Sequence, residues 1–137
     1  MGMLEEIREE LAKQPQPECL KLTPFELIEA DAETGMVRVQ FDPQPAFGNH
    51  FGHIQGGFAA AMLDVPLSAA VFVKVKHWLP TLELKCSFLR PALIGRCIGE
   101  GRVLRAGRQI VFVEGRLWGG DGQLAVHGTA TVGGAPR

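Results

Sequence analysis

The chain has 137 residues, of which 46% are hydrophobic and 21% charged, the size and composition of one globular domain. Its formal net charge is −1 at pH 7 and its Lys and Arg residues are scattered, so no nucleic-acid partner is expected. Three widely spaced cysteines argue against a disulfide framework and favour a reducing, cytoplasmic location. The charged N-terminal stretch lacks the apolar core of a signal peptide.

The first half of the chain predicts a short helix followed by a hairpin. Apolar residues recur at helical spacing over residues 4–13, and a Pro-rich stretch ends this helix. Residues 25–30 and 36–41 predict two strands joined by a turn at 32–35. A loop rich in glycine and proline, residues 42–57, then leads into a second helix.

The most apolar stretch, residues 56–74, predicts a helix about 28 Å long that is apolar almost all round. This length also suits a membrane span, but Asp64 lies near its middle and Pro66 follows. A carboxylate at the centre of a bilayer costs roughly 3 kcal/mol on insertion scales. We therefore predict the buried helix of a globular protein, and no membrane partner.

Four further strands are predicted, at residues 81–89, 98–105, 109–118 and 124–132, followed by a frayed tail at 133–137. Tight turns between them predict a four-stranded meander. The order of hairpin, helix and meander predicts one α+β domain. In it, a curved antiparallel sheet of five to six strands wraps around the central helix. The first of the four strands places these residues on one inward face: Leu82, Leu84, Cys86 and Phe88.

The start of the central helix has the chemistry of a binding site. Gly56 and Gly57 allow a ligand to approach the backbone closely. The first N–H groups of a helix have no intrahelical partner, so a carbonyl oxygen placed there is polarised as in an oxyanion hole. The same sequence is also compatible with a plain glycine-rich helix start.

Asp64 lies within an otherwise apolar helix, where an unpaired charge is expensive. It is interpreted either as a carboxylate bonded to a neighbouring group or as a general base or nucleophile. Gly56 and Asp64 lie about 12 Å apart along the helix axis, too far to act on one reacting group. Two antiparallel copies of the helix would bring Gly56 of one beside Asp64 of the other. The spacing therefore predicts a site shared across a dimer.

At these residues the sequence resembles the hotdog-fold acyl-CoA thioesterases, particularly the phenylacetate-pathway branch. That branch carries an Asn, a His-Gly-Gly at a helix start and an Asp about eight residues later. The matching residues here are Asn49, Gln55-Gly56-Gly57 and Asp64. The strand that ends in Phe88-Leu89-Arg90-Pro91, Gly95, and segments 101–105 and 107–108 are also similar. The resemblance covers about residues 20–132 and implies a hotdog fold.

The resemblance implies hydrolysis of a small acyl-CoA thioester without a cofactor, in a homodimer or a dimer of dimers. Asp64 would activate water or act as the nucleophile, and the Gly56 N–H of the opposite subunit would polarise the carbonyl. Asn49 would orient water or the carbonyl, and the Thr81 hydroxyl would support the water. Arg90 and Arg108 would pair with CoA phosphates. Further substrate contacts are expected from Gly57, His53 and Phe58, and candidate pocket-lining residues are Phe47, Phe51, Phe58 and Met62.

One position departs from the family pattern, because Gln55 replaces the His before Gly-Gly. Glutamine can replace a histidine that orients the carbonyl, but it cannot replace one that transfers protons. A non-catalytic acyl-CoA-binding protein therefore stays open. So does a hotdog hydratase or dehydratase, because His50-Phe51 precedes Asp64 by fourteen residues. His50 and His53 form half of a metal site, but no nearby Cys, Asp or Glu completes it, so no metal is expected.

Overall fold

The computed structural model describes residues 2–42 and 45–134 and shows a long helix packed on one face of a six-stranded antiparallel sheet. This confirms the predicted α+β hotdog architecture with a short N-terminal helix. The last strand extends through Gly133, so the prediction of a frayed tail from that residue is wrong there, and residues 135–137 lie outside the described part. Two 3-10 turns occupy Glu18–Lys21 and Pro45–Phe47. The elements are α1 (Met3–Ala12), β1 (Phe25–Asp31), β2 (Met36–Phe41), α2 (Gly56–Val75), β3 (Thr81–Phe88), β4 (Cys97–Ala106), β5 (Ile110–Trp118) and β6 (Leu124–Gly133).

The strand order β1-β2-β4-β5-β6-β3 differs from the predicted meander. β4, β5 and β6 are neighbours joined by tight turns, as predicted, but β3 pairs with β6 and not with β4. β4 pairs instead with β2 of the N-terminal hairpin. Pairing between strands that are distant in the sequence depends on the crossover connections, which local patterns do not encode. As a result, β3 forms one edge of the sheet.

The helix α2 forms the centre of the hydrophobic core. Met62, Leu63 and Leu67 are almost completely buried, and they pack with apolar side chains of β2, β5 and β6. In the part of the chain that the structure describes, α2 is also the one helix long and apolar enough to cross a membrane by length and composition. More than half of that apolar stretch is buried inside the domain, as in the core helix of a globular protein.

Pro66 lies in the middle of α2, and the helix continues beyond it to Val75. The helix backbone there packs directly against β4 at Gly101. A Cβ atom at Gly101 would lie 2.1 Å from the carbonyl oxygen of Pro66, so only glycine permits this close approach. The contact fixes the depth of α2 over the sheet, and with it the position of Asp64, two residues earlier.

The edge strand β3 is less buried than the alternating sequence predicts. Leu84 and Cys86 are half-buried, but Leu82 and Phe88 are 59% and 54% exposed. The pairing of β3 with β6 shifts register near the start of the strand, which interrupts the alternation of faces. An edge strand with two large exposed apolar side chains is a surface that another strand can cover.

Candidate active site

Asp64 lines a cavity of about 530 Å³ beside α2. The hydroxyl group of Thr81, the first residue of β3, donates a long hydrogen bond of 3.4 Å to Asp64 Oδ1. Burial raises the pKa of the Asp64 carboxyl above its ordinary value, and the hydrogen bond from Thr81 opposes this rise. A partly desolvated carboxylate is a stronger base than an exposed one, which suits it to accept a proton from water.

The two ends of β3 lie beside the two halves of the predicted site. Thr81 begins the strand and contacts Asp64. Phe88 ends the strand and lies beside Gly56, where an added Cβ atom would be 3.5 Å from the Phe88 ring. Because Gly56 and Asp64 are eight residues apart on one helix, about 12 Å separates them along its axis. A single subunit therefore holds both groups but does not bring them together.

Gln55 is the N-cap of α2. Its side-chain oxygen accepts a hydrogen bond of 3.1 Å from the backbone N–H of Phe58, and its own N–H donates to the Phe47 carbonyl at 2.8 Å. This capping role was not predicted, since glutamine is not among the preferred N-cap residues. The carboxamide oxygen of Gln55 serves the helix start, so a contact with a substrate carbonyl would use its amide NH₂ group.

Asn49 shapes the loop that leads into α2. Its Oδ1 accepts hydrogen bonds from the backbone N–H groups of Phe51 and His53, at 3.0 and 3.1 Å. Its own N–H donates to the His53 carbonyl at 2.7 Å. The side-chain oxygen of Asn49 is therefore used by the backbone, and orientation of water or of a carbonyl would use its NH₂ group. This structural use of Asn49 was not predicted.

Two of the four predicted pocket residues line the cavity beside Asp64. Phe47 and Phe58 do so, and their rings stack with 4.4 Å between centroids. Met62 is instead buried in the core, and Phe51 is 81% exposed in the loop before α2. The spacing of apolar residues along a helix shows which of them share a face, but not which face is covered by the sheet.

The N-terminal segment, residues 15–25, supplies another wall of this cavity. Pro15, Pro17, Cys19 and Leu20 line it on that side. This role was not predicted, because the segment carries no polar motif and no periodicity that would indicate a binding surface. Trp78, which follows α2 and stacks on a ring of that helix, also lines the cavity.

The predicted substrate-contacting residues are spread over the domain. Gly57 and His53 belong to the helix start and its loop, but neither is among the described residues that line the cavity. Arg90 follows the Phe88 end of β3 and donates to the Gln123 side chain at 3.2 Å. Arg108 lies in the turn between β4 and β5.

The β4–β5 turn lies towards the other end of β3. Ile110, two residues after Arg108, pairs with Gly133, and the neighbouring Val132 pairs with Thr81. Arg108 therefore lies towards the Thr81 end and Arg90 at the Phe88 end. A shallow pocket of about 450 Å³ at this turn is bordered by two arginines and an aromatic ring: Arg105, Arg108 and Phe112. Arg105 and Phe112 were not among the predicted site residues.

Comparison with known proteins identifies the family. The thioesterase superfamily matches residues 51–126, more than half of the chain, and this region contains the start of α2, Asp64 and Thr81. The chain belongs to the thioesterase superfamily. A candidate thioesterase from Ralstonia eutropha, described as a phenylacetic acid degradation-related protein, is 32% identical. The two folds superpose with a TM-score of 0.83, covering 93% of this chain and 98% of that one.

Two further relatives extend the comparison. A candidate esterase from Saccharolobus solfataricus is 32% identical over 93 residues, which cover 67% of this thioesterase-superfamily chain. The match spans 66% of that esterase, slightly less than two thirds of its length. A Streptococcus mutans protein solved with bound acetyl-CoA shares the fold alone, with a TM-score of 0.73 and 19% identity over 82% of this chain and 90% of that one. The predicted resemblance to hotdog thioesterases is thereby confirmed, and the family and its relatives support a hydrolase.

Within this thioesterase-superfamily domain, the half-buried Cys86 and the buried Cys97 are poorly suited to act as thiolate nucleophiles. Burial and the neighbouring Asp64 charge both raise the pKa of the Cys86 thiol. Burial raises the pKa of Cys97 to about 11. A thiol with a raised pKa is a poor nucleophile. Residues 2–42 and 45–134 contain no group of three His, Cys, Asp or Glu side chains that could hold a metal ion.

Proposed function

We propose that this protein hydrolyses acyl-CoA thioesters at two equivalent sites, each shared between the subunits of a homodimer. The proposal depends on one observation: Asp64 lies at one end of the edge strand β3, and Gly56 lies at its other end. Antiparallel pairing of β3 with the same strand of a second copy reverses the direction of the strand. Asp64 of one subunit then lies near Gly56 of the partner subunit.

The properties of β3 support this pairing. It is a strand of eight residues at the edge of the sheet, so half of its backbone groups point away from β6. Leu82 and Phe88, both more than half exposed in the single chain, lie near its two ends. In a register centred between Leu84 and Lys85, Thr81 of one subunit lies opposite Phe88 of the partner subunit.

The chemistry follows from these two groups. The Asp64 carboxylate accepts a proton from water, whose oxygen attacks the thioester carbonyl carbon, or it attacks that carbon itself and water then hydrolyses the anhydride. The Gly56 N–H, at the first position of α2, donates to the carbonyl oxygen as it becomes negative. The C–S bond breaks, CoA leaves as a thiolate that takes up a proton, and the acid is released.

The arginines fit the same arrangement. Arg108 lies towards the Thr81 end of its own β3, whereas Arg90 lies at the Phe88 end. Antiparallel pairing brings Arg108 of one subunit to the same end as Arg90 of the partner subunit. Guanidinium groups bind phosphate through paired, charge-assisted hydrogen bonds, so both suit the phosphates of CoA. The Streptococcus mutans protein of the same fold, which binds acetyl-CoA, supports a CoA ligand.

The direct test is an assay of the wild-type protein with a panel of acyl-CoA substrates. We expect release of free CoA thiol, measured with a thiol reagent, and no hydration of enoyl-CoA, measured by loss of its conjugated absorbance. Hydration without thiol release would favour the hydratase, and tight acyl-CoA binding without turnover would favour a binding protein. Either result would overturn the proposed hydrolysis.

The pH dependence of the wild-type rate is expected to follow the ionisation of the Asp64 carboxyl group. Only the carboxylate form accepts a proton, so kcat/KM falls as the pH drops through the raised pKa of this group. Thr81→Val removes the hydrogen bond that lowers this pKa, so the acidic limb of the profile moves to higher pH. The matched control is Thr129→Val, at an exposed threonine of β6, which should leave the limb in place. An unmoved limb in Thr81→Val would show that the hydroxyl does not act on the titrating group.

A further inference from the structure

We infer that the cavity between α2 and the N-terminal segment 15–25 binds an uncharged, apolar acyl chain longer than butyryl. This inference rests on the proposed function, since the thioester carbon would lie at Asp64, which lines the cavity. The family resemblance, by contrast, implies a small acyl group. A volume of about 530 Å³ is within the range of pockets that enclose ligands of drug size, and it exceeds what an acetyl group fills.

The chemistry of the walls excludes a charged or strongly polar chain. Among the lining residues that the structure describes, Asp64 is the one with a charged side chain. Most of the others are aliphatic or aromatic. Their polar side-chain groups are the Cys19 thiol, the Thr23 and Ser68 hydroxyls, and the Trp78 N–H, which donates to Gln14. A carboxylate on the acyl chain would be repelled by Asp64 and would find no cation in this lining. Methylene groups, by contrast, leave water for an apolar surface.

The helix gives the cavity a direction. Ala61, Asp64, Val65 and Ser68 have the spacing i, i+3, i+4 and i+7, so they form one stripe along α2. Ser68 lies one helical turn beyond Asp64, about 6 Å further along the axis. The cavity therefore extends along α2 on both sides of Asp64, from Phe58 to Ala69. Its Ser68 side is the proposed path of an acyl chain whose carbonyl carbon lies at Asp64.

The opposite wall is held in place at several points, as expected for a permanent part of a binding site. The Arg8 guanidinium of α1 donates to the Leu27 carbonyl of β1, at 2.6 and 2.9 Å. Trp78 Nε1 donates to the Gln14 side chain at 3.2 Å. Lys76 Nζ lies 3.0 Å from Glu10 Oε2. These contacts hold both sides of segment 15–25, so the wall limits the length and bulk of the chain.

The first test is the chain-length profile of the wild-type protein, from acetyl-CoA to decanoyl-CoA, with succinyl-CoA as a charged comparison. We expect kcat/KM to rise by up to about fourfold for each methylene removed from water. Octanoyl-CoA should exceed both acetyl-CoA and succinyl-CoA by at least about tenfold. If no acyl-CoA is hydrolysed, the proposed function itself fails. If all are hydrolysed equally, or acetyl-CoA or succinyl-CoA is preferred, this inference alone is overturned.

The second test fills the cavity from each wall. Ser68→Phe narrows it from α2, and Cys19→Trp narrows it from the N-terminal segment, where Cys19 is exposed and its replacement does not disturb the core. We expect the ratio of kcat/KM for octanoyl-CoA to that for butyryl-CoA to fall at least about tenfold in each. Thr129→Phe, which adds the same ring to an exposed site on β6, should keep the wild-type ratio. If Cys19→Trp kept the wild-type ratio of kcat/KM for the two substrates, the acyl chain would not occupy this cavity.

A binding measurement completes the test without requiring turnover. In the Asp64→Asn variant, octanoyl-CoA should slow the alkylation of Cys19 by iodoacetamide, whereas acetyl-CoA, which also has no free thiol, should not. The extent of alkylation is read by mass spectrometry of the Cys19 peptide. Cys97 is buried and serves as the unreactive internal reference. Equal protection by acetyl-CoA and by octanoyl-CoA would contradict an acyl chain in this cavity.

Discussion

Replacing Asp64 with asparagine is expected to lower the rate of thiol release at least about a hundredfold, because a general base contributes roughly 10²–10⁴ to such a reaction. Asparagine has nearly the same shape but cannot accept a proton from water at neutral pH. The comparison needs kcat/KM for one well-hydrolysed acyl-CoA, measured above the acidic limb of the profile.

The same substitution is not expected to destabilise the fold. Burial raises the pKa of Asp64 in the folded state, so the folded protein favours the protonated form. At pH values above that pKa the ionised group lowers the free energy of unfolding, and a neutral asparagine removes this cost. Denaturation should therefore show no loss of stability, and size-exclusion chromatography should show an intact oligomer.

Asp42→Asn, at an exposed aspartate, is the matched control for activity and should keep the wild-type rate. Equal rates for wild type and Asp64→Asn would remove Asp64 from the mechanism.

Gly56→Pro is expected to lower kcat by roughly 10²–10³, the usual loss when one donor is removed from an oxyanion hole. Proline has no backbone N–H, so the substitution deletes the proposed donor itself. The position tolerates the ring because Gly56 is the first residue of α2, where proline is common. Gln55 before it has φ −61° and ψ 139°, a conformation that a residue before proline readily adopts.

Gly56→Ala separates the loss of the donor from the effect of added bulk. It keeps the N–H, and its Cβ atom would lie 3.5 Å from the Phe88 ring, an ordinary contact distance. We expect turnover close to that of the wild type. If alanine and proline reduced turnover equally, crowding at the helix start would explain both results and the N–H would have no assigned role.

Mixing Asp64→Asn and Gly56→Pro subunits tests whether each site is shared. About half of randomly mixed dimers contain one subunit of each kind, and each such dimer has one site with both groups intact. Activity should therefore return to about a quarter of the wild-type rate after unfolding and joint refolding. Two variants that stayed inactive after mixing, with mixed dimers present, would show that each subunit carries its own complete site.

Much of this fold follows from local sequence patterns. A long and almost uniformly apolar stretch predicted α2 over residues 56–74, and the structure has it at Gly56–Val75. Alternation and turn residues predicted all six strands, because side-chain direction in a strand and the conformations allowed in tight turns are properties of short segments. Asp64 stood out for a similar reason, as a single charge in an apolar helix.

The tertiary packing supplied what these patterns do not contain. The pairing of β3 with β6, and not β4, follows from a crossover that no local signal marks. The role of Gln55 as a helix cap and the use of the Asn49 oxygen by its own loop depend on backbone geometry at the site. Residues 15–25 form a wall of the cavity only because α1 and β1 hold them beside α2.

The sequence by itself determined the elements, the acidic residue within the central helix, and its distance from the helix start. That distance is set by the fixed rise of an α-helix, so it holds in any fold that contains the helix. Only the tertiary structure decided that β3 is an edge strand with Thr81 at Asp64 and Phe88 at Gly56, and that a large apolar cavity opens beside the carboxylate. These features arise between segments far apart in the chain, because burial and strand pairing are properties of the whole domain.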